Sequence, residues 1–301
     1  MKPIFIALFC VLITVVFAGL AACKPKTKDI QSQTEKITID SPYFTENDHV
    51  ITVDGLNMRY RDEGPQTAPP VIMVHGFSSS LETWDALAAA MSTDHRVIRF
   101  DLPGHGLTGA DSLERYSNAQ TADFLAEFID AMNLGQKPVV IGNSLGGLAA
   151  WRMAAAHPDK ADKLVLISPG GFSINGVTEK PGPVPPMVSL YLKTAPLSGV
   201  TYASKALFAD ADKLPKSRIK QTRDLMKYGD NGDALVKRLK VFTLPDPKAD
   251  LAKVTTPTLI IWGDKDAIVP PDHAGRFVEA MPSAKLLSYE NIGHVPQEEA
   301  P

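Results

Sequence analysis

Pro138-Val139-Val140-Ile141-Gly142-Asn143-Ser144-Leu145-Gly146-Gly147 decides the reading of this chain. The apolar run from Pro138 to Ile141 reads as a short buried strand, and Leu145 to Ala156 reads as a helix of small residues packed close to it. A serine at that junction occupies a sharp, strained turn with its hydroxyl lifted above the sheet edge. Gly142 and Gly146, two positions to either side, leave out side chains that would strike the neighbouring strand or helix. The competing role for Ser144 is that of a turn serine capping the helix that follows.

Further along the chain lie an acid and a base in the order that a serine nucleophile needs. Thr258-Leu259-Ile260-Ile261-Trp262 is a second apolar strand, followed by Gly263-Asp264-Lys265-Asp266-Ala267-Ile268-Val269-Pro270. Lys285-Leu286-Leu287-Ser288-Tyr289 is a last strand, followed by Asn291-Ile292-Gly293-His294-Val295-Pro296. An acid after one strand and a histidine after the next suit a base that reaches Ser144 and is oriented from behind.

Upstream, His49 to Val53 and Met58 to Asp62 flank Asp54-Gly55, a hairpin turn signal. From Val71 onward, strands near 71–74, 97–100, 138–141, 164–167, 258–262 and 286–289 alternate with helices over 83–91, 118–132, 145–156 and 271–281. That alternation predicts an α/β fold, a mainly parallel sheet with helices on both faces. Residues 171–250 break it with a Pro-rich opening, Pro181 to Pro186, and then several helices with apolar faces.

These motifs together resemble the α/β-hydrolase superfamily, in its capped, esterase- and lipase-like branch. Val71-Ile72-Met73-Val74-His75-Gly76-Phe77 resembles the family's strand and His-Gly oxyanion turn. Val97 to Gly106 resembles the next strand and its loop. The resemblance implies a core of residues 49–170 and 251–301, with 171–250 as a helical cap above the nucleophile. It implies Ser144 as nucleophile, His294 as base, and Asp266 rather than Asp264 as the orienting acid, because the family's acid lies three residues after Gly263. The backbone amides of Leu145 and Phe77 would form the oxyanion hole. His75 and His105 match structural family positions. The family normally adds a helix after the histidine to cover one sheet face, so an end at Pro301 is read as a truncation.

Three hundred and one residues, 44% hydrophobic, suffice for one large core with a lid. A formal charge of −3 with no Lys/Arg run excludes a nucleic-acid partner. No metal is expected, since clustered Cys/His spacing is lacking, and no cofactor, since neither G-x-G-x-x-G nor a P-loop occurs. Met1 to Cys23 carries a basic start, an apolar stretch from Ile4 to Ala18, and then small residues. Leu20-Ala21-Ala22-Cys23 resembles a bacterial lipobox, with 1–22 as signal peptide, Cys23 as the lipidated terminus and 23–48 as a tether. The only other cysteine, Cys10, would leave with the leader. Lys24 after the cysteine, by analogy, favours the periplasmic face of the outer membrane.

The expected activity is hydrolysis of short-to-medium-chain or aromatic esters through an acyl-enzyme, by a monomer held to the membrane through Cys23. Phe77, Phe172, Met187, Val269 and Val295 are the candidate pocket walls. A C–C bond hydrolase or an acyltransferase with the same triad is the nearest rival. Gly142-Asn143-Ser144 resembles the C–C hydrolase elbow, whereas His294-Val295 and the Gly76-Phe77 turn depart from it. A non-catalytic envelope binding protein is the rival of another class.

Overall fold

A computed structural model describes residues 39–301. Cys23 and the expected leader lie outside them. The hairpin strands β1 (Asp48–Val53) and β2 (Leu56–Glu63) turn at Asp54-Gly55, where φ is +44° and +78°. Then come β3 (Pro70–Val74), α1 (Asp85–Met91), β4 (Arg96–Phe100), α2 (Asn118–Met132), β5 (Val139–Asn143), α3 (Leu145–Ala156) and β6 (Lys163–Ile167). Four helices of a cap follow: α4 (Pro186–Thr194), α5 (Leu197–Lys205), α6 (Lys216–Met226) and α7 (Asn231–Val241). The chain returns through α8 (Lys248–Leu251), β7 (Thr258–Gly263), α9 (His273–Ala280), β8 (Ala284–Tyr289) and α10 (Pro296–Glu299).

The eight strands form one sheet in the order β1-β2-β4-β3-β5-β6-β7-β8, in which β2 alone runs against its neighbours. The expected α/β-hydrolase architecture, a mainly parallel sheet flanked by helices, is what the chain adopts. Ile72, Val74, Val140, Leu164, Leu166 and Ile260 on one face pack with α2 and α3 in the main core. Val71, Met73, Ile141 and Ile167 on the other meet Trp84 and Ala88. On that second face Ile261 is half-buried, and its neighbour on β8, Leu287, is 41% exposed.

Tyr43 and Asp48, expected to belong to a tether, are packed against the fold instead. Tyr43 donates its hydroxyl to Asp224 at 2.7 Å, and Asp48 is buried. Asp48 receives Arg59 Nε at 2.6 Å, while Arg59 also reaches Glu82 at 2.7 Å and Asp101 at 3.1 Å. One guanidinium thus serves three carboxylates, which explains how these charges are accommodated in the core.

Candidate active site

Ser144, Asp266 and His294 follow β5, β7 and β8, so all three project from the carboxyl edge of the sheet, where open α/β sheets bind ligands. Ser144 adopts φ 54° and ψ −112°, a conformation that costs a non-glycine residue energy and is held by its surroundings. The packing that holds it explains the glycines. A Cβ on Gly142 would lie 2.4 Å from the carbonyl oxygen of Gly146, and one on Gly146 would lie 2.1 Å from that of Val74. Ser144 makes no side-chain capping bond to α3, so its hydroxyl is not consumed in the capping role.

His294 Nδ1 and Asp266 Oδ2 are 2.8 Å apart, and both side chains are buried. The other carboxylate oxygen of Asp266 accepts the amides of Ile268 at 2.8 Å and Val269 at 2.9 Å. Burial alone would raise the Asp266 pKa, but the hydrogen bond and charge of His294, with the two amides, outweigh it and hold the carboxyl below its ordinary value. An ionised Asp266 fixes the proton of His294 on Nδ1 and leaves Nε2 as the free acceptor. Asp264 is engaged elsewhere: it accepts the amide of Asn291 at 2.6 Å, which ties the turn after β7 to the loop after β8.

The histidine loop is held from three sides. Asn143 donates to the carbonyl oxygens of His294 and Ile167, each at 3.1 Å, which ties the elbow to the loop. The amide of His294 donates to Leu207 of the cap at 2.7 Å. Glu299, buried on α10, accepts the amide of Gly293 at 2.7 Å, of Asp210 at 2.7 Å and of Ala209 at 3.1 Å. Sequence reasoning missed Glu299, because nothing in Gln297-Glu298-Glu299-Ala300 distinguishes the buried acid from its neighbour.

The remaining histidines near the site are structural in their geometry. His75 is fully buried, and its Nε2 accepts the amide of Leu102 at 3.0 Å, so Nδ1 carries the proton donated to the Gly76 carbonyl at 2.8 Å. Burial lowers its pKa to about 4. His105 stacks edge-on against it at 5.1 Å.

A cavity of about 410 Å³ opens over Ser144 and His294. Phe77 and Val295 line it, as does the Gly76-Phe77 turn, in which a Gly76 Cβ would lie 3.2 Å from that of Ser144. Leu145, at the first position of α3, is buried directly behind the serine. Three expected wall residues lie elsewhere. Phe172 is buried in the main core, edge-on to Phe277 at 5.2 Å and covered by Arg276 at 3.9 Å. Val269 is buried in the same core, and its neighbour Ile268 takes the cavity side. Met187 sits on the first turn of α4, outside the cavity and 73% exposed. The walls are instead Tyr191, Tyr202, Leu207, Phe208 and Leu214 from the cap, with the Arg218–Glu298 ion pair, 3.2 Å, as the charged element.

Comparison with known proteins agrees with this fold. The chain is 27% identical over 256 residues to the dihydrolipoyllysine-residue acetyltransferase component of the acetoin cleaving system of Pseudomonas putida, covering 82% of this chain and 64% of that protein. It thus spans somewhat less than two thirds of that relative. It is 24% identical to Lipase 1 of Psychrobacter immobilis over 82% of this chain and 77% of the lipase. To the 2-hydroxy-6-oxo-6-(2'-aminophenyl)hexa-2,4-dienoic acid hydrolase of Metapseudomonas resinovorans it is 26% identical, over 81% and 83%. In fold, it is similar to a serine hydrolase involved in carbazole degradation, with a TM-score of 0.74 at 24% identity over 84% and 93% of the two chains. The model of the alpha/beta hydrolase family matches residues 71–301, and the chain belongs to that family.

Proposed function

We propose that the chain is a serine hydrolase of carboxylic esters that works through an acyl-enzyme. The observation that carries the reading is an uncapped serine on a strained elbow, sharing one apolar cavity with a histidine that is locked onto a buried aspartate. Ser144 Oγ attacks the ester carbonyl while His294 Nε2 takes its proton. The oxyanion is received by the amides of Leu145 and Phe77, a pair of the kind worth several kcal/mol in acyl transfer. His294 returns the proton to the leaving alkoxide, then activates water to release the acid. Asp266 stays ionised and stabilises the imidazolium.

The apolar walls favour acyl groups that fill the cavity and stop at Arg218–Glu298. Each methylene accommodated contributes about 0.8 kcal/mol, so specificity rises with chain length until the cavity is full and then falls. p-Nitrophenyl esters of increasing acyl length test this. A peak in kcat/KM is expected, and a value still rising at long-chain triglycerides contradicts it.

A second reading, C–C bond hydrolysis with the same triad, is supported by Gly142-Asn143-Ser144 and by the dienoic acid hydrolase relative. Turnover of vinylogous diketones with no ester cleavage would establish it in place of the first. The same proposal keeps residues 171–250 as the cap that selects substrate. It also keeps Cys23 as a lipid attachment site, facing the protein into the periplasm from the outer membrane. Mass spectrometry of the mature N-terminus decides that point: an acylated Cys23 supports it, and an unmodified terminus at another residue overturns it.

A further inference from the structure

Large apolar side chains stand exposed at eleven positions among the described residues, and five of them belong to two consecutive cap helices. Met187, Val188 and Leu190 lie on α4, and Leu197 and Tyr202 on α5, with exposures of 73, 36, 53, 57 and 80%. The two helices pack together where a Cβ on Gly199 would meet the Tyr191 ring at 3.0 Å. Tyr202 is at once the most exposed of the five and a wall of the catalytic cavity, so it stands at the mouth. Ile268, 39% exposed and also a cavity wall, is the mouth's core-side rim. An apolar surface around the entrance to an apolar cavity is the pattern of a lipid-facing site rather than of a solvated lid.

Charge and chain path agree on the occupant. Residues 171–250 hold thirteen Lys and Arg against eight Asp and Glu, a net +5 on a chain whose formal charge is −3. The cap is therefore the basic region of an acidic protein, and α4 and α5 carry Lys193 and Lys205 with no acidic residue of their own, which suits an anionic lipid surface. The described chain also begins against the cap. Tyr43 is hydrogen-bonded to Asp224 of α6 at 2.7 Å, with Lys220 of the same helix 5.9 Å from its ring. A lipid at Cys23 would be sixteen residues from Ile39, at most about 55 Å of extended chain, which keeps the cap within reach of the membrane.

We infer that the exposed α4–α5 face docks on an anionic lipid surface and opens the cavity mouth to esters dissolved in it. The inference deepens the ester-hydrolase reading by naming the physical state of the substrate. Binding by apolar side chains plus basic residues is additive and salt-sensitive, as for other interfacial helices.

The test uses the full chain with a single reporter tryptophan added. Trp84, Trp151 and Trp262 are all buried, so a tryptophan at an exposed position reports its own surroundings. Leu197→Trp and, as a control on β8, Leu286→Trp are each mixed with vesicles of phosphatidylglycerol and phosphatidylcholine carrying brominated acyl chains. Emission from position 197 should fall at least twofold and that from position 286 should not, with weaker quenching on pure phosphatidylcholine. Protein that sediments with the vesicles while position 197 stays unquenched is held by its N-terminus alone, and overturns the docking. Equal quenching at both positions, or masking of position 197 by a dimer without vesicles, overturns it too. Leu190→Ser/Leu197→Ser should keep kcat/KM on a soluble short-chain ester and lose at least about fivefold on the same ester presented in vesicles. Absence of all ester cleavage would reject the catalytic reading and leave the quenching result standing by itself.

Discussion

The side-chain amide of Asn143 donates to the carbonyl oxygen of His294 at 3.1 Å, joining the residue before the proposed nucleophile to the proposed base. Its second proton goes to Ile167 at 3.1 Å, so one buried side chain stitches the elbow to the ends of β6 and of the histidine loop. Asn143→Ala removes the partner of the His294 carbonyl, while Ile167 keeps the amide of Ser144 at 3.0 Å, and an unpaired buried group of this kind costs about 1–3 kcal/mol. Thermal unfolding should come earlier, and kcat should fall by more than KM changes. A variant with full kcat would show that the base is positioned without this bond.

Asp266 and Asp264 offer a sharper contrast, since both follow β7 but only Asp266 meets His294. Asp266→Asn should reduce kcat by about 10⁴, because the amide favours the wrong tautomer of His294. Asp264→Asn should change kcat little and cost a modest amount of stability. The reverse ranking, measured with any turned-over ester, would sink the assignment.

Glu299 takes three amides from two segments, one of them adjacent to His294. Glu299→Gln places an NH₂ group where an acceptor stood and leaves buried amides unpaired. We expect a lower kcat, with the folded state retained, and recovery in Glu299→Asp smaller than full because the shorter arm does not span both segments. If Glu299→Gln unfolds no earlier and turns over as fast as the wild type, the clamp is incidental.

Acid stability should reflect Asp48. Burial alone would raise its pKa, but Arg59 and Arg61 hydrogen bonds bring it down to about 2. A carboxylate with a depressed folded pKa stabilises the protein above its unfolded value, and the contribution is lost as pH falls from about 4 towards 2. Asp48→Asn should therefore be less stable than the wild type at pH 7, with the gap narrowing across that window. A gap that stays constant with pH would exclude this linkage. Asp101 works the other way: burial raises it to about 6, so its ionisation opposes folding as pH climbs through that value.

Much of the architecture was legible because it is written in local rules. Helices α2 and α3 occupy 118–132 and 145–156 as their periodicity predicts, and the strands fall within two residues of their apolar runs. The elbow glycines were legible for the same reason, as a turn of that kind forbids a Cβ. The pocket walls were not. Phe172, Val269 and Met187 are as apolar as Tyr191, Ile268 and Leu207, and only the path of the chain decides which way each points. Tyr43 and Asp48 read as tether because their partners, Asp224 and Arg59, are distant in sequence.

Everything proposed about chemistry rests on Ser144 as a nucleophile, and covalent capture tests that without knowledge of the substrate. The protein is incubated with a fluorophosphonate, then digested and mapped by mass spectrometry, in parallel with Ser144→Ala. One adduct per chain is expected, on Ser144, formed faster than in His294→Ala and absent from Ser144→Ala. An unlabelled Ser144 in folded protein, or ester hydrolysis undiminished in Ser144→Ala, would contradict it.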